Sequence, residues 1–383
     1  MTPWRFAVAS GVILGLVVGI PYYGLPYFYD YFESAFGWSR ASIMLGLPVG
    51  TLVTLAAGPL LVRKLPPRLC IVWGAPVCGV AIAGFGVMDG SLWMYYLLWI
   101  VYMTGWTFAG PLSHQVLLTQ VFSQKRGAAY ALAFFGISLF GAFSVAALAR
   151  PLTAAFGFQT ALRIIGAVVC LAGPVARLAL PAAHSQGAPA GPSAGMGTRR
   201  VFWLLLIGTT LSMAGIGGVS QHLKLIFKES GYGGQAQLDA VFGWTLMAML
   251  IAGATGRFLF AWAAERFAKR HVITAAFVLM AGALPVLLFL RSASAPYLFA
   301  VAFGLGMSAD SLMLPLLAAD YLGAQSMVRA MGIIVPVNTV GQTWYPVLLS
   351  MLWTIHGSYT LPLWVTFGCI LGGRLTLALL PRR

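Results

Sequence analysis

The sequence predicts an all-α integral membrane protein, and three observations lead to that fold class. Of its 383 residues, 60% are apolar and 8% are charged, whereas a soluble chain carries about 25% charged residues. The surplus of apolar surface therefore has to face lipid. The apolar residues form twelve stretches, each long enough to cross a hydrocarbon core of ~30 Å as a helix. These stretches are apolar on all sides, whereas the strands of a membrane barrel alternate apolar and polar residues.

In chain order, the twelve stretches predict helices over residues 6–29, 41–62, 69–88, 92–121, 128–149, 160–180, 201–222, 238–263, 272–290, 296–318, 330–353 and 359–380. The first is too long for the apolar region of a signal peptide, so we expect a retained helix. Residues 182–200 are rich in Gly, Pro, Ser and Ala and predict a flexible cytoplasmic linker. The linker separates an N-terminal half, 1–181, from a C-terminal half, 201–383, each with six helices. Such halves are expected of a transporter that rocks about a site at the bilayer midplane.

The distribution of Lys and Arg predicts the orientation in the membrane. With a cytoplasmic N-terminus, sixteen of the 23 basic residues lie on the cytoplasmic side and six lie outside. Because basic residues concentrate on the cytoplasmic side, we expect both termini there, in a multi-pass protein of the cell inner (plasma) membrane. The remaining basic residue, Arg257, lies within a span.

Several function classes are excluded by what the sequence lacks. The net charge of +15 comes from basic residues between apolar stretches, not from a basic face of a solvated domain, so nucleic acid is not an expected partner. The four cysteines show no CxxC spacing, which predicts neither a disulfide framework nor a metal site. No phosphate-binding GxxxxGK[ST] loop or HExxH motif occurs, so we expect neither an enzyme nor a cofactor.

Short motifs along the whole chain carry a family resemblance. They are Phe36-Gly37-Trp38-Ser39-Arg40 after the first span, Val121 to Ala128 (VFSQKRGA) between spans four and five, Gln221-His222-Leu223, Gly256-Arg257, Glu265-Arg266, Asp320-Tyr321-Leu322-Gly323 and Gly357-Ser358-Tyr359. In order and spacing they resemble the major facilitator superfamily, and within it the monocarboxylate-porter and oxalate/formate-antiporter branch. The resemblance implies the major facilitator fold and transport of a small organic anion.

Arg257 is the first candidate for substrate binding. An arginine near the centre of a membrane helix costs about 2.5–3.5 kcal/mol, so it should face the bundle interior or a water-filled cavity. Its guanidinium keeps its proton and matches a carboxylate with two parallel hydrogen bonds. The resemblance agrees, since an arginine in span eight is the partner of the substrate carboxylate in that branch. A structural ion pair, or a side chain that reaches the cytoplasmic surface, is the alternative.

Asp310, close to the centre of span ten, is the candidate for proton coupling. Desolvation disfavours an ionised carboxylate and a nearby cation favours it, so such a group can take up and release a proton. In animal members of the resembled branch an acidic residue precedes the arginine by one turn, and here that position is Gly253. We hypothesise that Asp310 supplies the missing charge and pairs with Arg257 when the site is empty. A permanent structural ion pair is the alternative.

Asn338 and Gln342 lie one turn apart on span eleven and therefore share a helix face. Their amides can hydrogen-bond a hydroxyl or carbonyl oxygen of a substrate. In oxalate antiporters a lysine accompanies the arginine, and Asn338 aligns with it. One fixed cation suits one carboxylate, so this alignment favours a monocarboxylate. Hydrogen bonding between helices is the alternative.

The remaining candidates are a histidine and two tyrosines. His114 in span four could bind substrate or belong to a proton path, although a lone histidine in a helix bundle is often a packing residue. His222 closes span seven, where gating or a capping hydrogen bond are equally possible. Tyr23 and Tyr345 could line a cavity, and aromatic belts at the membrane interfaces are the alternative.

Together, these residues predict a secondary transporter that carries a small monocarboxylate with a proton by alternating access. An organic anion exchanger of the oxalate/formate type is the first alternative. A sensor or scaffold that does not transport is the second, although no stretch is long enough for an added signalling domain. The expected partners are a small organic anion, a proton and the lipid bilayer. We expect a monomer, because the carrier fold needs no partner to form its pathway.

Overall fold

The computed structural model describes residues 3–53, 65–122, 126–181, 199–232, 234–290, 292, 294–322 and 324–381. All regular structure within these ranges is helical, as predicted. The helices are α1 (Trp4–Phe36), α2 (Arg40–Val53), α3 (Pro67–Phe85), α4 (Leu92–Ala109), α5 (Pro111–Val121), α6 (Ala128–Phe156), α7 (Phe158–Ala179), α8 (Arg199–Glu229), α9 (Gln235–Arg266), α10 (Lys269–Leu288), α11 (Ala295–Leu322), α12 (Ala324–His356) and α13 (Thr360–Ala378).

Nine helices of the described part are long and apolar enough to cross a membrane, namely all except α2, α4, α5 and α12. Residues 54–62 of the predicted second span and 182–198 of the predicted linker lie outside the described residues. The last two residues of that predicted linker, Arg199 and Arg200, instead begin α8.

The predicted fourth span, 92–121, is not one helix, and its prediction was wrong in this respect. The backbone of Gly110 is extended, with φ −86° and ψ −161°, so α4 ends at Ala109 and α5 begins at Pro111. Proline has no N–H to continue the hydrogen-bond ladder, and its ring disfavours helical backbone in the preceding residue. The Gly-Pro dipeptide thus breaks the span where its apolar length predicted continuity.

Two of the helices that extend beyond their predicted ends, α1 and α8, carry buried or paired charged residues near those ends. Helix α1 continues past residue 29 to Phe36. Asp30 there is only 2% exposed, and Glu33 forms an ion pair of 3.1 Å with Arg40. Helix α8 continues past residue 222 to Glu229, so Lys224 lies within the helix and not after its end. A charged residue therefore did not mark the end of either helix.

The described chain divides into two compact units, Met1–Ala188 and Pro189–Arg383. Within the first unit, α1 packs on α6 through glycines, since a Cβ at Gly19 would lie 2.5 Å from the Ile137 carbonyl oxygen. Within the second unit, α8 packs against α12 and α13, and α9 packs against α11. Small residues at these crossings let helix backbones approach closely.

Candidate functional site

Arg257 projects from the packed face of α9. One and two turns earlier on that face lie Gly253 and Leu250, and Phe260 lies one turn later, all of them buried. Its neighbour Phe258 points the other way and is 69% exposed. The arginine itself is half-buried. It lies nine residues before the end of α9, or about 14 Å along the helix axis. Arg257 therefore lies on the packed side of the helix and remains partly accessible.

Helix α11 approaches this part of α9 unusually closely. A Cβ at Gly256 would contact the Ser308 hydroxyl and lie 3.0 Å from the Leu305 carbonyl oxygen. At Gly253, the added atom would lie 3.2 Å from the Gly304 carbonyl oxygen. The segment of α11 that holds Asp310 is therefore fixed against the segment of α9 that holds Arg257.

Asp310 is completely buried, and neither of its carboxyl oxygens has a hydrogen-bond partner. The carboxyl faces the Ser212 hydroxyl of α8, and that hydroxyl is also buried without a hydrogen bond. The expected ion pair between Asp310 and Arg257 is not formed in this structure. An ionised carboxylate without a partner costs several kcal/mol in such surroundings, so this group has to be protonated or to gain a partner.

Asn338 joins α12 to α8. Its side-chain oxygen lies 2.7 Å from the Thr210 hydroxyl and 3.2 Å from the Thr209 hydroxyl, and its side-chain nitrogen donates to the Thr209 hydroxyl at 3.0 Å. The residue is 5% exposed. Thr209 lies one turn from Ser212 on α8, so the amide cluster and Asp310 occupy neighbouring positions along that helix.

Gln342 and Tyr345 lie further along α12, where they pack against α8. A Cβ at Gly217 would lie 2.9 Å from the Gln342 side chain, and one at Gly218 would lie 2.7 Å from the Tyr345 ring. Gln342 is half-buried. The Tyr345 hydroxyl donates to the Thr366 hydroxyl of α13 at 3.1 Å. These contacts hold the two side chains within the C-terminal unit.

The other two predicted site residues belong to the N-terminal unit. Tyr23 is half-buried, and its ring packs edge-on against Tyr22 with the ring centroids 5.0 Å apart. His114 lies in the first turns of α5, directly after the break at Gly110. It is completely buried, and neither ring nitrogen has a hydrogen-bond partner.

A buried ion pair between Lys224 and Asp239 escaped the sequence analysis. The Lys224 ammonium of α8 lies 2.7 Å from the Asp239 carboxylate of α9, and the side chains are 0% and 7% exposed. Gln235 also donates to the same carboxylate oxygen at 3.0 Å. Lys224 and Asp239 lie on either side of the turn between α8 and α9. Because these two consecutive helices run antiparallel, that spacing in the sequence was the signal that the two charges pair.

His222 has both ring nitrogens engaged in hydrogen bonds. Nε2 lies 2.8 Å from the Pro346 carbonyl oxygen of α12, and Nδ1 lies 2.7 Å from the Tyr359 hydroxyl. A carbonyl only accepts, so in the neutral ring Nε2 carries the proton and Nδ1 accepts from Tyr359. Glu229, two turns later on α8, accepts from the Tyr359 backbone N–H at 2.9 Å. This end of α8 is thereby tied to the start of α13.

Comparison with known proteins shows that the chain is similar to membrane transporters. The family model described as Major Facilitator Superfamily matches residues 113–346. Human Monocarboxylate transporter 11 is 28% identical over 336 residues, which cover 81% of this chain and 69% of that protein. A bacterial homologue of the human lysosomal transporter Spinster has a similar fold. Its inward-facing, unoccupied crystal structure aligns with a TM-score of 0.69 at 14% identity over 99% of this chain and 95% of that one. Its occupied form gives a TM-score of 0.67 at 13% identity, with the same coverage.

Proposed function

Since the chain belongs to the Major Facilitator Superfamily, a family of membrane transporters, we propose that it carries a small monocarboxylate together with a proton by alternating access. The observation that carries the proposal is Arg257, a permanent cation on the packed face of a membrane helix. Similarity to human Monocarboxylate transporter 11 supports the same class of substrate. We further propose that the protein works as a monomer in the cell inner membrane with both termini in the cytoplasm.

In this proposal, Arg257 binds the carboxylate of the substrate. Its fork of N–H donors fits two carboxylate oxygens at once, and the low dielectric around the helix strengthens the attraction. One such cation suits one carboxylate. Lys224, a fully buried cation of the C-terminal unit, is already neutralised by Asp239 at 2.7 Å, so it does not create a site for a dicarboxylate.

Asp310 carries the co-transported proton. The support is its complete burial without a hydrogen-bond partner for either oxygen. Because an isolated buried charge is unfavourable, loading a proton on Asp310 keeps the site neutral while the substrate anion neutralises Arg257. Transport of anion and proton together then moves no net charge. Of the other candidates, Asn338 and Gln342 orient the substrate, Tyr23 and Tyr345 line its path, and His114 provides a further polar contact.

Uptake by reconstituted protein tests the proposal. Liposomes that contain the purified chain would be offered labelled lactate, pyruvate, acetate, oxalate and aromatic acids, with and without an inward proton gradient. We expect uptake of a monocarboxylate that the gradient accelerates. Exchange of a preloaded anion that is insensitive to the gradient would instead identify an anion exchanger, and no uptake of any acid would remove the proposed substrate class.

A further inference from the structure

One end of the N-terminal unit carries positive charge without an acidic residue to compensate it. Helices α1 and α3 begin at this end and α7 ends there, since Ala172–Ala179 of α7 packs against Trp4–Leu14 of α1 and against α3. Three described basic side chains lie at it: Arg5, Arg68 and Arg177. The acidic residues of the unit lie at the opposite ends of α1 and α3: Asp30, Glu33 and Asp89.

Arg68 and Arg177 are neighbours at this end. The Arg68 guanidinium donates to the Arg177 backbone carbonyl oxygen at 2.5 Å, and a Cβ at Gly173 of α7 would lie 2.6 Å from the Pro76 ring of α3. The Arg68 Nε has no hydrogen-bond partner, and Arg177 is exposed. Within the part of the chain that the structure describes, neither guanidinium forms an ion pair with a carboxylate. Two permanent cations therefore lie on adjoining helix ends without a counter-charge.

Large apolar side chains continue from each arginine along the surface of its helix. On α3, Leu69 is 51% exposed, and Trp73, one turn later, is 72% exposed. On α7, Leu178 is 87% exposed. Large apolar side chains on the outer face of a membrane-spanning helix contact the acyl chains of lipids. The arrangement of charge above an apolar surface matches a phospholipid, whose headgroup lies above its acyl chains.

We propose that the adjoining ends of α3 and α7 bind an anionic phospholipid, with its phosphodiester on Arg68 and Arg177. Its acyl chains lie along Leu69, Trp73 and Leu178. Guanidinium donors match phosphate oxygens with two parallel hydrogen bonds, and basic pockets between membrane helices bind anionic headgroups. The ammonium of phosphatidylcholine cancels the charge of its phosphate, so net charge decides the preference. This inference does not depend on which substrate the protein transports.

The C-terminal unit offers a matched control. Arg270, near the start of α10, also donates to a backbone carbonyl oxygen at a helix end, that of Leu380, at 3.3 Å. Its neighbour Lys269, however, pairs with the Asp320 carboxylate at 2.6 Å. A negative group is therefore already present beside Arg270, and Arg270→Gln should not change the lipid preference at Trp73.

Quenching of Trp73 fluorescence by brominated lipids tests the proposal in the full chain. Trp73 lies five residues after Arg68, or about 7.5 Å along the helix axis, so it is close to bromine carried near the top of a bound acyl chain. The difference between the wild type and Trp73→Phe isolates its signal. The protein is placed in phosphatidylcholine vesicles that contain a small fraction of either brominated phosphatidylglycerol or brominated phosphatidylcholine.

We expect half-maximal quenching of Trp73 at an at least about fivefold lower fraction of phosphatidylglycerol than of phosphatidylcholine, since one basic residue near anionic lipid contributes an attraction of about that size. The double variant Arg68→Gln/Arg177→Gln should show no preference, whereas Arg270→Gln should retain it. If the double variant does not fold, Arg177→Gln, which changes an exposed side chain, takes its place and should weaken the preference about fivefold.

Equal quenching of wild-type Trp73 by the two lipids would overturn the proposal. A full preference in a folded variant without Arg177 would also overturn it, and quenching by brominated phosphatidylcholine at the wild-type level shows that such a variant is folded and in the bilayer. Inorganic phosphate separates a lipid from a free anion. If it removes the preference while sodium chloride of the same ionic strength does not, the ligand is a free anion and the lipid site is refuted.

Discussion

The buried pair of Lys224 and Asp239 gives the sharpest prediction about stability. Lys224→Met leaves a carboxylate of 7% exposure without the ammonium now 2.7 Å away. Removal of one partner of a buried ion pair costs about 3–5 kcal/mol, because the remaining charge stays desolvated. We expect a loss of that size in the free energy of unfolding, measured by denaturant titration in detergent. The double variant with Asp239→Asn should recover much of the loss, since it leaves no unpaired charge.

The chain contains a matched control for this experiment. Lys269 and Asp320 form an ion pair of 2.6 Å with side chains 29% and 45% exposed. An exposed pair contributes about 0.2–1 kcal/mol and weakens as salt rises. Lys269→Met should therefore have a small, salt-dependent effect. If Lys224→Met cost no more than Lys269→Met, the argument from burial would be refuted.

Three further predictions concern coupling and packing. Asp310→Asn should abolish the proton uptake that accompanies carboxylate entry, and Asp320→Asn on the same helix should retain it; a pH-sensitive dye inside liposomes reports both, and equal coupling would remove Asp310 from the proton path. Gly136→Ala should destabilise the protein by about 1–3 kcal/mol, because its Cβ would meet the backbone of α1. In Gly368→Ala the added Cβ meets open space, so this variant should be neutral or slightly stabilising. Equal changes in the free energy of unfolding of Gly136→Ala and Gly368→Ala, measured in detergent, would contradict the packing of α6 against α1. Asn338→Leu should cost about 1–3 kcal/mol by stranding the threonines of α8; unchanged stability with a raised KM would make its role one of substrate binding alone.

Composition and apolar length were sufficient to predict the helical membrane fold, because whether a segment is long and apolar enough to cross a membrane depends on that segment alone. They were insufficient where neighbouring side chains decide the outcome. Lys224 seemed to end a span, since nothing local shows that Asp239 neutralises it. The break at Gly110 had a local signal in the Gly-Pro dipeptide, but the apolar run on both sides obscured it.

The candidate site was predictable in its residue types but not in its contacts. A cation and a carboxylate within spans indicated Arg257 and Asp310, and both lie on packed faces of their helices. Whether the two residues pair depends on the distance between side chains of α9 and α11. The spacing of residues along the sequence does not give that distance. For the same reason, the sequence did not reveal that Thr209 and Thr210 bind the amide of Asn338.

The most direct test of the central claim is the initial rate of labelled lactate uptake by Arg257→Gln and Arg266→Gln liposomes at matched protein content. Arg266 lies at the end of the same helix, with its guanidinium 4.3 Å from the centre of the Trp262 ring. Loss of a charged hydrogen bond of about 1.5–3 kcal/mol predicts at least about a tenfold lower rate for Arg257→Gln at low substrate concentration. Arg266→Gln should match the wild type. Wild-type rates in folded Arg257→Gln would contradict the assignment of Arg257 as the residue that binds the substrate.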